Sequence, residues 1–484
     1  MVGLLVAGQL VAWTLAPALS HSAPPLDVVE SYMWGREWVL ATYKHPAMPS
    51  WALEVSRVVT GVIGWPAYLV SQLFVVATYI FVFLLGRLLI GAERAAAGTL
   101  LLTGVAFFAW PTPEFNHNIA EMPFWAAVPW ALWLAVERRS AVWWLLVGAF
   151  AAAGLYAKLS TALLLLTAAG WILWDGRARQ CLATPGPWLG LGAFLLLVAP
   201  LAHWLMIQDI GPLQYAAARS IQVKERGLQA FFVSLSANLV GILAMLWVAG
   251  LLGRGWPWSA RAEQPAPLAP PIDGRVGHYL MVVTLGPLVL AIAGAFVGST
   301  SLKSAWGSSM FNLAGLLAIA LAARRFDARA LRRIGICAAV AIILVPIGYA
   351  AVVAYGPTRA GVPLRVGWPQ AAISDRLVGA WTRETGRPLR IVAGEPWIAG
   401  LVGVSAPNLP SIFTHGDPRL APWITPERIA REGMLIVWNG RTKHIPKHLL
   451  ALVEAHHAKV ERFHWRWSKK LGELEIGYVI VPPK

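Results

Sequence analysis

Two short stretches of this sequence concentrate the side chains that do chemistry. The first holds Asp27, Glu30 and the run Tyr43-Lys44-His45-Pro46. The second, residues 111–121, holds Glu114, Asn116, His117, Asn118 and Glu121. Asp27 and Glu30 are three apart, so a helix starting there puts both carboxylates on one face. Asp27 also suits an N-cap, which would make the pair part of a capped interfacial helix. That explanation leaves out Tyr43 to Pro46. A cation and an imidazole beside a rigid proline, near an acidic pair, suggest a place for a phosphate. In the second stretch the polar density fits either a hydrated turn or the wall of a site. Glu121 stands directly before Met122-Pro123, where a helix cap is the ordinary role. His117 is a possible metal ligand, but no second ligand stands at a motif spacing from it.

Further along, Lys158 sits in a tight hairpin, Leu-Tyr-Ala-Lys-Leu-Ser, where a lysine either binds an anion or snorkels to an interface. Lys303, Trp306 and Asn312 mark another polar loop. Arg219, Lys224 and Arg226 lie on an amphipathic stretch suited to a lipid surface. The glycine patterns that hold nucleotides are absent. Cys181 and Cys337 have no CxxC neighbour, so neither a metal nor a redox motif is present.

The elements that must position these residues are membrane spans. The chain has 484 residues, 57% hydrophobic and 13% charged, well below the ~25% charge of a soluble protein. Its 26 tryptophans fit the interfacial belts of a membrane protein. Runs near 2–20, 66–85, 98–112, 122–136, 141–156, 159–174, 187–206, 230–252, 279–298, 306–322 and 334–355 approach the ~20 apolar residues of a span. That predicts about eleven spans, with no ionisable side chain in the middle of any. Alternating the connecting loops puts Arg87, Arg94, Arg138, Arg139, Arg177, Arg179 and the arginines of 324–333 on one side. The positive-inside rule makes that side cytoplasmic. The N-terminus then lies inside, and the loops 21–65, 111–121, 207–228 and 299–305 lie outside. Residues 1–23 also look like a cleavable signal, but the basic n-region is missing, so a retained helix is expected. The net charge of +16 is explained by topology and anionic lipid, not nucleic acid.

The composition turns soluble near residue 356. Strands at 389–393, 434–438 and 474–481 alternate with helices at 397–404 and 447–455, which argues a small α/β domain over 356–484. The expected architecture is an all-α polytopic membrane domain, 1–355, followed by that domain on the outer side. The cytoplasmic loop 253–278, rich in proline and alanine, reads as a linker.

The order of the motifs resembles glycosyltransferase family 39, the polyprenyl-phosphate-sugar transferases of the GT-C fold. Its relatives include protein O-mannosyltransferases and lipid A aminoarabinose transferases. An acidic pair follows the first span, a Lys-X-Pro precedes the second, an acid plus proline opens the fourth, and Gly-Leu-Tyr-Ala-Lys ends the fifth. The resemblance covers residues 1 to about 355 and is firmest in the first 175. Asp27 matches the family's catalytic acid. Glu30 stands two valines away, where the family often has the two acids adjacent. Lys44 matches a family lysine, with His45 in place of a proline. Glu121 falls where an aspartate is usual, and Lys158 matches a lysine at the end of a span.

The resemblance implies a single inverting displacement on the outer face of a bacterial inner membrane. The donor would be a polyprenyl-phosphate sugar and the acceptor a lipid or cell-envelope glycan. Asp27 would act as general base, with Glu30 or Glu121 orienting the reactants. Lys44, His45, Lys158 and Lys303 would bind the donor phosphate. Tyr43, Glu114, His117 and Trp306 would contact acceptor or sugar. No cofactor is expected to be essential, and a divalent metal is left open. The rivals are a flippase for a lipid-linked sugar, a protein O-glycosyltransferase, and a non-catalytic assembly protein.

Overall fold

The structure is a computed structural model, and it describes residues 1–207, 211–212, 214–215, 227–252, 272–298, 304–465 and 471–484. Long apolar helices dominate it. Those of span length are α1 (Val2–Ser20), α4 (Trp65–Ile90), α6 (His117–Arg138), α10 (Pro185–Ile207), α11 (Gly227–Val248), α12 (Gly274–Val297) and α14 (Ala328–Ala360). Among the described residues seven helices, not eleven, are long and apolar enough to cross a membrane. The other four expected segments are shorter. α7 (Ala141–Ala157) and α8 (Thr161–Trp174) are helical but brief, and α8 leads into the six-residue α9 (Gly176–Cys181). The segment at 98–112 breaks after α5 (Ala92–Leu101) into two short 3-10 turns. The segment at 306–322 splits into a 3-10 helix, Ser304–Phe311, and α13 (Ala314–Leu321). Apolar length alone did not reveal these breaks.

Close approach of backbones holds the bundle together. A Cβ on Gly148 would strike the carbonyl of Gly190, and one on Gly315 the carbonyl of Gly98. Without water to drive burial, such small-residue contacts let helices pack in lipid. Buried polar pairs add to them: Gln9 Nε2 donates to Gln72 Oε1 at 2.8 Å, joining α1 to α4. His21 bridges Tyr68 (2.9 Å) and Tyr349 (2.8 Å), joining the end of α1 to α4 and α14. Its ring is neutral, with burial lowering its pKa to about 3.

At the His21 end of the bundle two further helices lie between α1 and α4. They are α2 (Leu26–Gly35) and α3 (Met48–Thr60). They pack as a hairpin, because Gly35 has no Cβ to strike the Ser50 carbonyl. α3 turns Leu53 and Glu54 inward and leaves Val55, Val58 and Val59 half or more exposed.

The C-terminal region is a five-stranded mixed sheet, order β2-β1-β3-β5-β4. β1 (Ile391–Gly394) pairs in parallel with β2 (Ser411–Thr414) and β3 (Met434–Asn439). β5 (Glu473–Val481) runs antiparallel to β3 and to β4 (Lys459–His464). β2 and β4 were not anticipated, nor was the helix α15 (Gln370–Thr385). The helix α16 (Pro396–Ser405) lies against α2. Gly400 permits this, since a Cβ there would meet Val29 and the Met33 sulfur. Arg36 Nη1 donates to the Pro410 carbonyl at 2.5 Å, and Ser411 donates to Glu37 at 2.8 Å. The sheet domain is therefore seated on the α2–α3 hairpin. In the basic stretch from residue 459, Lys459 pairs with Glu384 and Arg462 with Glu475, while 466–470 lie outside the described residues.

Candidate active site

α2 begins directly after Pro24-Pro25. Pro25 is the N-cap, so Asp27 stands in the first helical turn and is not itself the cap. There its carboxylate meets the positive end of the helix dipole. Two residues of the 111–116 loop hold Asp27. Asn116 Nδ2 donates to Asp27 Oδ2 at 2.8 Å, and the Asp27 backbone N–H donates to Glu114 Oε1 at 3.1 Å. Asn116 has a second task as N-cap of α6, its Oδ1 accepting the Asn118 N–H at 2.9 Å. Glu121 therefore lies within α6 and caps nothing. Burial, and then the neighbouring Asp27 charge, push the Glu114 carboxyl up to about 7.

Thr42 builds the second wall. Its side chain accepts the backbone N–H groups of Lys44 and His45 at 3.2 Å, closing a tight turn over 42–45. The turn presents Lys44 to Glu30, and the two form a buried ion pair. Burial lowers the Lys44 pKa, but the Glu30 carboxylate outweighs it and holds the ammonium above its ordinary range. The Lys44 charge also lies over the rings of Tyr43 (5.6 Å) and Trp34 (5.8 Å).

His45 stacks on His117 with ring centroids 3.5 Å apart. Burial, followed by the charges of Lys158 and Lys44, lowers the His45 pKa to about 3, so the ring is neutral. Tyr215 meets both Tyr43 and His45 edge-on. On the far side, Lys158 Nζ donates to Glu121 Oε1 at 3.1 Å. Glu121 also accepts from Ser309 (2.9 Å) and Ser160 (2.7 Å) and is wholly buried.

Asp27, Glu30, His45, Asn116 and His117 line one cleft of about 20 Å³. That is room for about one water-sized atom. The loops thus bring together Asp27, Glu30, Tyr43, Lys44, His45, Glu114 and His117, with the Lys158–Glu121 pair alongside. Lys303 lies outside the described residues, as does the Trp306 side chain. So do Arg219, Lys224 and Arg226 of the loop 207–228. Among the described residues no group of three or more His, Cys, Asp or Glu is placed to hold a metal ion.

The sheet domain contributes residues that sequence reading missed. Glu395 directly follows β1 and His415 directly follows β2, and the His415 N–H donates to the Gly394 carbonyl at 2.7 Å. Both are close enough to Lys44 for its charge to act on them. Each stands at the carboxyl end of a parallel strand, the usual binding edge of an open α/β sheet. Strands of four residues gave no sequence signal strong enough to mark that edge.

Residues 44–204 match the family described as dolichyl-phosphate-mannose-protein mannosyltransferase. The whole chain is similar in fold to ArnT from Cupriavidus metallidurans bound to undecaprenyl phosphate. The TM-score is 0.63 at 15% identity, over 98% of this chain and 97% of that one. The apo state of the same protein matches with TM-score 0.63 and 14% identity, over the same shares of the two chains. A third likeness, to the Archaeoglobus fulgidus oligosaccharyltransferase, has TM-score 0.45 at 11% identity over 99% of this chain and 72% of that one. No curated protein matches the sequence. The chain is a multi-pass membrane protein of the GT-C fold. It carries a glycosyltransferase-family domain over residues 44–204.

Proposed function

We propose that the protein is an inverting glycosyltransferase that moves a sugar from a polyprenyl phosphate to a lipid or cell-envelope glycan. The reaction belongs on the outer face of a bacterial inner membrane, with the sheet domain on that side. The observation that carries this reading is Asp27, whose carboxylate is held by Asn116 and whose backbone N–H is held by Glu114, in the wall of a cleft with Lys44 and Lys158 nearby.

The step is a displacement at the anomeric carbon. Asp27 takes the acceptor hydroxyl proton as the acceptor oxygen bonds to that carbon. The bond from the carbon to the phosphate oxygen breaks, and its electron pair leaves with the polyprenyl phosphate. Lys44 neutralises the departing charge. Lys44 is held by Glu30, so phosphate binding is an exchange of one anion for another. Burial raises the Glu30 pKa even with Lys44 beside it. As Lys44 turns to the phosphate, the loss of its charge further favours the protonated form of Glu30. His45 and His117, stacked above the cleft, offer neutral hydrogen bonds to a phosphate or sugar. Glu121 is engaged on three sides, which suits a residue that positions Lys158 rather than a base. Glu395 and His415, near enough to Lys44 to feel its charge, suit contacts to the acceptor.

A prenyl tail needs an apolar path. A groove of about 640 Å³ between α8 and α12, lined by Leu166, Trp171 and Leu285, lies on the helix that begins three residues after Lys158. The neighbour solved with undecaprenyl phosphate supports a ligand of this class.

The test is transfer from radiolabelled polyprenyl-phosphate sugars into a membrane lipid extract, with wild type and Asp27→Asn at equal expression. Label transferred by the wild type alone supports the reading and identifies sugar and acceptor. Equal transfer by both removes Asp27 from the mechanism. Lipid binding without transfer by either favours transport.

A further inference from the structure

A second cavity, of about 590 Å³, lies on the other side of the chain segment that carries Asp27. Its floor is the turn after α1, residues 21–24. Its outer wall is the end of α3 with the turn into α4, from Arg57 to Trp65. Its roof is the sheet domain, at Gln370, Ala371 and residues 404–409. Its size is that of a ligand site, in the range of ~300–1,000 Å³.

Two features indicate what fits. The lining is hydrogen-bonding and carries one cation. Arg57 is held by both Glu54 oxygens (2.6 and 2.9 Å), and Gln370 Nε2 donates to Ser405 at 2.5 Å. Finally, the rim is apolar. Val58 (62% exposed), Val59 (78%), Val62 (44%) and Trp65 (48%) face outward where span α4 begins, the composition of a helix lying in a membrane interface.

We infer that this cavity is a second lipid site, separate from the donor cleft, which takes the hydroxylated headgroup of a membrane lipid entering past the valine rim. The inference rests on the transferase reading only in assigning the occupant a role. The same headgroup chemistry belongs to a bulk phospholipid such as phosphatidylglycerol and to a glycolipid acceptor. Residues 21–24 of the cavity floor lead directly into α2, and Asp27 follows Pro24 by three residues.

The experiment is native mass spectrometry of the full-length protein released from nanodiscs of phosphatidylethanolamine and phosphatidylglycerol. Two variants accompany the wild type. Ala371→Trp fills the cavity from an exposed roof position, and Arg57→Gln removes the lining cation while keeping a hydrogen bond for Glu54. The wild type should retain one lipid per chain, and the Trp variant should lose it about tenfold faster. Arg57→Gln should weaken retention of the anionic phosphatidylglycerol severalfold and leave that of phosphatidylethanolamine unchanged. Displacement of phosphatidylglycerol by a glycolipid from a membrane extract identifies an acceptor site. Retention of phosphatidylglycerol against the extract identifies a bulk-lipid site. Equal lipid retention by wild type and Ala371→Trp overturns the inference. So does weaker binding of sugar-free polyprenyl phosphate by Ala371→Trp, which would make the cavity part of the donor site. These readouts need no catalysis, so they stand whether or not Asp27→Asn abolishes transfer.

Discussion

Lys158 and Glu121 meet 3.1 Å apart where no solvent reaches the carboxylate. Ser160 and Ser309 complete its hydrogen bonds, so one side chain ties α6 to the α7–α8 hairpin and to the 3-10 helix at 304–311. Removing one partner of such a pair strands the other. Glu121→Ala should cost about 3–5 kcal/mol, whereas Glu121→Gln keeps the shape and should cost less. Thermal unfolding in detergent measures both. An alanine variant as stable as wild type would show that the cluster does not hold these elements together.

Asp27→Asn retains an oxygen for Asn116 but cannot take a proton. Transfer should fall about 10²–10⁴-fold with the unfolding temperature unchanged. Asn116→Ala removes both a cap and the grip on Asp27. It should cost about 1 kcal/mol of stability and also slow transfer, and the two variants together should add little to Asp27→Asn alone.

The exchange of Glu30 for phosphate at Lys44 has a distinct double-mutant signature. Lys44→Met leaves Glu30 buried without its cation and should destabilise the protein. Lys44→Met with Glu30→Gln should recover that stability and recover no activity. Activity returning with stability would mean that Lys44 serves the fold alone.

Glu114 makes stability depend on pH. Its folded pKa, about 7, lies above its ordinary 4.5, so folding favours the protonated form. The contribution is complete below pH 4.5 and is lost as pH rises through 7. Wild type should therefore lose unfolding temperature from pH 5 to 7.5 more steeply than Glu114→Gln. Parallel profiles would show that Glu114 titrates normally.

Gly400 sets how closely the sheet domain docks. A methyl group there meets the Met33 sulfur at 2.7 Å and presses on Val29. Gly400→Ala should cost about 1–3 kcal/mol and increase protease cleavage between α14 and α15. Unchanged cleavage would mean that Arg36 and Glu37 suffice to hold the domain.

The loops of the site were legible because short polar segments between spans must emerge at a membrane face. Asp27, Lys44, His45, Glu114 and His117 stood out for that reason, and the structure gathers them. Their pairing was not legible. Which carboxylate meets which lysine depends on helix packing, and sequence spacing cannot order Glu30 with Lys44 or Glu121 with Lys158. The sheet was read in part: β1, β3 and β5 carry apolar runs. β2 has four residues and β4 has mixed burial, so neither stands out. The count of eleven spans is not confirmed where apolar sequence continues through backbone breaks, as at Leu102 and Phe311.

On the transferase reading, the α2–α3 hairpin joins an anchor to a catalyst. Gly35 locks the two helices together, one bearing the exposed valines and the other bearing Asp27. The depth to which those valines sink would then fix the altitude of the carboxylate above the lipid. A thinner or thicker bilayer would be accommodated by the long spans tilting beneath the hairpin, with Asp27 kept level with the phosphates.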